Sequence, residues 1–87
     1  MKTIHKHELL GGPICLKAGF QVLTVQMHGE KVMLWVLCDP EAPLVMTNFY
    51  LAGTGWEMND NIMDKKYIAT VQDGRGFVWH VFQGETE

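Results

Sequence analysis

Gln21-Val22-Leu23-Thr24-Val25-Gln26-Met27-His28-Gly29-Glu30-Lys31-Val32-Met33-Leu34-Trp35-Val36-Leu37-Cys38 decides the fold class. Two runs rich in β-branched and aromatic residues flank a short connection centred on glycine, which is the signature of a β-hairpin. In its second arm Met33, Trp35 and Leu37 point one way and Val32, Leu34, Val36 and Cys38 the other, so both faces are apolar. Such a strand is normally covered on both sides.

Working outward, the same pattern repeats. Thr3 to Leu9 reads as a strand, broken at Gly11-Gly12-Pro13 before a short apolar piece, Ile14 to Leu16. Asp39-Pro40-Glu41-Ala42-Pro43 stops the hairpin arm, since neither proline can donate a ladder hydrogen bond. Leu44 to Leu51 resumes extended structure, and Lys66 to Gln72 and Phe77 to Gln83 form a second hairpin across Asp73-Gly74-Arg75-Gly76. Almost no apolar spacing of helical period occurs. The expectation is a single all-β domain over residues 1–87, a small antiparallel meander of about six or seven strands that forms a barrel-like or sandwich domain.

Composition narrows the function. With 87 residues, 47% apolar and 20% charged, the chain suits one globular domain near the lower size limit for independent stability. The second hairpin again has two apolar faces, Phe77, Trp79 and Val81 against Val78, His80 and Phe82, which leads us to expect a homo-oligomer that hides the surplus. A net charge of -3 and a single arginine, Arg75, leave no basic face for nucleic acid. Serine is absent, which removes serine nucleophiles. No apolar run reaches membrane-spanning length, and the charged start of the chain does not read as an export signal, so a cytoplasmic protein is expected. Cys15 and Cys38 form no CxxC pair and are expected as two buried thiols.

Few residues carry a chemical signal. His5 and His7 share one strand face at metal-ligand spacing, but a third ligand would have to come from His28, His80 or Cys38, and no spacing requires it; polar residues on an exposed strand are the plainer reading. His80 lies where a base could be held, although a histidine in an apolar strand usually serves packing and one hydrogen bond. The carboxylates show no spacing diagnostic of acid-base catalysis, so no catalytic residue, cofactor or metal is assigned and a non-enzymatic protein is expected. Gly53-Thr54-Gly55-Trp56 is the most suggestive feature: glycines let amides approach an anion, and an indole can stack on a planar ring. It lacks the extensions of a P-loop or a dinucleotide fingerprint. The expected ligand site joins Gly53, Thr54, Gly55 and Trp56 to Asn48, Lys65 and Arg75, with Trp56 on a base and the cations on phosphate.

The order of motifs, KTIHKHEL (2–9), VLTVQ (22–26), LWVLCDPEAP (34–43), GTGWEM (53–58), YIATVQ (67–72) and VWHVF (78–82), resembles a family of short phage and prophage proteins of unknown function. The match runs over nearly the whole chain; Trp56 stands where a histidine is expected after GTG, Ala69 where the YIGT-type strand has glycine, and Gln83 where the last strand often ends in glutamate. The resemblance implies a small accessory protein in the cytoplasm of a bacterial host and no particular activity. Together these features lead us to expect a phage counter-defence protein that sequesters a small, nucleotide-like ligand. The alternatives are a module that inhibits a host protein, or a structural role in the phage.

Overall fold

A computed structural model describes residues 1–87. Its seven strands are β1 (Thr3–Leu9), β2 (Gly12–Lys17), β3 (Gln21–His28), β4 (Lys31–Cys38), β5 (Leu44–Gly53), β6 (Lys66–Gln72) and β7 (Val78–Thr86), with one turn of 3-10 helix at Asp60–Asp64. They form two antiparallel sheets, a three-stranded one in the order β1-β4-β3 and a four-stranded one in the order β2-β5-β7-β6. The all-β expectation holds, while the meander is corrected: only β3 with β4 and β6 with β7 pair as sequence neighbours.

The reason lies at Gly11 and Gly12, whose φ values of 82° and 106° are open to glycine at little cost. They let the chain leave β1 and enter β2 in the other sheet after only Leu10 and Gly11. β1 and β2 therefore lie in different layers and find their partners later, in β4 and β5. Gly12 and Pro13, expected in the break, begin β2. Pro13 is tolerated there because β2 is an edge strand. No closed barrel forms; the sheets keep four edges. The edge strands β3 and β6 each carry a register shift, between Val22 and Thr24 and between Tyr67 and Ala69, irregularities of the kind that blunt further strand addition.

The core lies between the sheets. Leu9, Val25, Val32, Leu34 and Val36 come from the three-stranded sheet and meet Leu16, Phe49 and Val81 from the four-stranded one. Phe49, Leu34 and Val81 have no exposed surface, and burying each such side chain contributes about 1.5–3 kcal/mol. Only 13 of 87 residues are buried, so few side chains hold the layers together. Thr47 is buried beside this core, its hydroxyl satisfied by that of Thr86 at 2.9 Å.

The expected two-faced apolar strand is β4. Val32, Leu34, Val36 and Cys38 enter the core, whereas Met33, Trp35 and Leu37 lie on the outer face between Glu8, Lys6 and Ile4 of β1 and Gln26, Thr24 and Gln21 of β3. On that outer stripe Met33 is buried and Trp35 and Leu37 are half-buried. The first arm of the second hairpin falls at Lys66–Gln72 as expected, while its second arm starts one residue later than expected and runs three residues longer, to Thr86.

Candidate functional site

At the end of β5 the chain turns tightly: the Trp56 amide donates to the Gly53 carbonyl at 3.1 Å, and Gly55 takes a φ of 88° that disfavours any side chain. The turn folds the Trp56 indole back onto Gly53 so closely that an added Cβ would stand 2.7 Å from the ring. Trp56 meets Trp79 edge-on, with centroids 5.3 Å apart, and Phe77 tilts against Trp79 at 6.4 Å. Together with Gly53, Thr54, Gly76 and Val78 these rings line a slot of about 230 Å³. Trp56 and Phe77 are each 58% exposed, so both rings face solvent across the slot instead of plugging the core.

The tip of the β6-β7 hairpin holds Phe77 and Trp79 in place through Asp73. This nearly buried carboxylate accepts the Arg75 and Phe77 amides on Oδ1, at 2.9 and 3.0 Å, and the Trp79 indole N–H on Oδ2 at 3.4 Å. Burial pushes its carboxyl up, but those donors and the nearby Arg75 charge together hold it below the usual range. Arg75 itself pairs with Glu30 of the β3-β4 turn at 3.1 Å and lies 5.4 Å from the centre of the Phe77 ring. It therefore reaches the rim of the slot but is already neutralised.

Asn48 and Lys65 stand elsewhere. Both donate to Glu85, Asn48 Nδ2 at 3.2 Å and Lys65 Nζ at 3.0 Å, and the Tyr50 hydroxyl adds a third bond at 3.1 Å. The Lys65 hydrogen bond holds the Glu85 carboxyl below its ordinary value, and the same bond raises Lys65. The cluster borders a second cleft of about 280 Å³ between Tyr50 and the segment from Met58 to Ile62. The structure thus brings Gly53, Thr54, Gly55 and Trp56 together, places Arg75 at their edge, and puts Asn48 and Lys65 in a separate group.

On the outer face of the four-stranded sheet a chain of hydrogen bonds crosses three strands' ends. The Tyr67 hydroxyl meets Thr70 Oγ1 at 2.6 Å, Thr70 Oγ1 meets His80 Nδ1 at 3.0 Å, and His80 Nε2 meets Thr54 Oγ1 at 2.7 Å. A neutral imidazole donates at one nitrogen and accepts at the other, so the protons can run along this chain in either direction.

His5 and His7 point to the inner side of edge strand β1, with rings 6.2 Å apart and His5 Nδ1 3.5 Å from the Cys38 thiol. Burial, and then the neighbouring His5, lower the His7 pKa. No three metal-ligating side chains converge. Both cysteines are free; Cys38 is buried, but Cys15 is exposed, contrary to expectation, because it faces outward on edge strand β2.

The sequence reading missed Phe77, Asp73 and Glu85. Asp at the head of Asp73-Gly74-Arg75-Gly76 was a readable turn signal, whereas nothing in the acidic tail announced that Glu85 would return to Tyr50. No curated protein and no solved structure matches the chain. A family model covers residues 1–87, and the protein belongs to the family it describes, a domain of unknown function, DUF7352.

Proposed function

We propose that the protein is a binding protein that holds one flat ring, the base portion of a nucleotide-like ligand, between Trp56 and Phe77. The observation that carries this reading is the convergence of two solvent-facing aromatic rings on a slot that Gly53 and Trp79 also line. Stacking needs open π-faces, which Trp56 and Phe77 present, and Gly53, having no side chain, is what lets the Trp56 ring lie there. Arg75 at the rim is the one cation placed to meet a phosphate, in exchange with Glu30. Asn48 and Lys65, bound to Glu85, have no part in this site.

A volume of about 230 Å³ lies under the roughly 300 Å³ at which ligand pockets begin, which favours a ring fragment over a whole nucleotide and gives a second subunit a reason to close the site. In this reading the homo-oligomer completes the pocket, and the resemblance to phage proteins makes the role one of counter-defence by sequestration inside a bacterial host. A titration of tryptophan fluorescence with a purine nucleoside and its phosphates tests it. Saturable quenching that disappears in Trp56→Ala is expected; quenching that survives Trp56→Ala and Phe77→Ala would show the slot to be the wrong place.

A further inference from the structure

We propose that Thr54 is a nucleophile activated by His80, and that the slot accepts small aryl esters whose acyl group is transferred to it. This goes beyond binding and departs from the expectation of a chain without enzymatic activity. It rests on the slot reading only for how the aryl ring is held.

Three observations meet here. Thr54 Oγ1 lies 2.7 Å from His80 Nε2, the shortest contact the imidazole makes, and Thr70 at 3.0 Å from Nδ1 fixes the ring on its other side. A hydroxyl bonded to a base that a third group orients is the arrangement nucleophilic catalysis needs. Thr54 also sits in a tight glycine turn at a strand end, and the next amide, Gly55 N–H, donates to no acceptor of the protein, which leaves it for an oxyanion. Finally, Thr54 is one of the residues that line the slot with Trp56 and Phe77, while His80 stands outside that lining, so a bound aryl ester would meet the threonine at the slot's edge with the imidazole behind it.

The steps balance without a co-reactant other than water. Thr54 Oγ gives its proton to His80 Nε2 and its electron pair to the ester carbonyl carbon, and the carbonyl π pair moves to oxygen. Collapse breaks the bond to the aryl oxygen, which takes the proton from Nε2 and leaves as the phenol. Water then adds to the acyl-threonine, giving a proton to Nε2; collapse breaks the bond to Oγ, which takes that proton, and the carboxylic acid departs.

Naphthyl acetate tests this, with naphthol release followed by fluorescence and acetylated peptides mapped by mass spectrometry. Wild type and Thr54→Ser should release naphthol and carry acetyl on residue 54. Thr54→Val and His80→Gln should lose about a hundredfold in rate. Equal rates in Thr54→Val, or acetyl found only on lysines, overturn the proposal. Naphthol binding, read separately from tryptophan quenching, tells the two failures apart: binding without acetyl transfer overturns the nucleophile alone, whereas absence of binding overturns the slot as well.

Discussion

The outer faces of the two sheets share one architecture and differ in chemistry. On the three-stranded sheet, Met33, Trp35 and Leu37 lie in a row between Ile4, Lys6 and Glu8 on one side and Gln21, Thr24 and Gln26 on the other. No side-chain hydrogen bond joins those residues to one another. On the four-stranded sheet, Tyr67, Thr70, His80 and Thr54 form a connected chain, and Asn48, Tyr50, Lys65 and Glu85 a second group. Both faces satisfy the demands of a small sandwich, but only one places polar groups in fixed orientation beside open clefts. Fixed polar groups are what recognition and chemistry require, so the function proposed above belongs with the four-stranded sheet.

The difference can be broken from the core outward. Phe49→Ala should cost about 3–5 kcal/mol in chemical denaturation, because the ring fills the centre of the only core and both faces depend on it. A loss confined to one sheet's signals would mean that the sheets fold separately. Asp73→Ala comes next: it frees the Arg75 and Phe77 amides and the Trp79 indole together, so the melting temperature should fall and the slot lose its binding. Asp73→Asn keeps an acceptor and should fall less.

Gly53→Ala sharpens the comparison. The new methyl group would displace the Trp56 ring from Gly53 and Trp79, so tryptophan fluorescence should change and ligand quenching should vanish with little change in unfolding. Trp35→Ala on the opposite face is the counterpart and should leave quenching intact.

The smallest effect is in pH. His7 has a folded pKa below its ordinary 6.5, so the unfolded chain binds the extra proton more readily, and stability should fall as pH drops through 6.5 toward the lowered value. His7→Gln should remove that slope. Asp73 and Glu85 are lowered carboxylates whose contribution holds above the ordinary carboxylate range and is lost only as pH falls through their lowered values. Glu85→Gln should alter that acid limb and leave the region near 6.5 alone.

Much of this comparison could be read from the chain. The strands around Gln21 to Cys38 and Lys66 to Gln72 fall where alternation and turn residues put them, since those signals are local. The pairing of β1 with β4 and of β2 with β5 could not be read, because it joins residues far apart in sequence through a bend that Gly11 and Gly12 permit but do not specify. The site divided along the same line. Gly53 to Trp56 is one continuous turn and was visible, while Phe77 enters it across a hairpin, and Asn48 and Lys65 are drawn away by Glu85, far from both in sequence.

Trp35 marks one outer face, and Trp56 and Trp79 mark the slot, so the three indole N–H signals of isotope-labelled protein report on both regions in a single NMR titration with an uncharged purine nucleoside. The account predicts that the Trp56 and Trp79 signals shift and saturate together while Trp35 stays still. A shift of Trp35 alone, or three unmoved signals at saturating nucleoside, would contradict it.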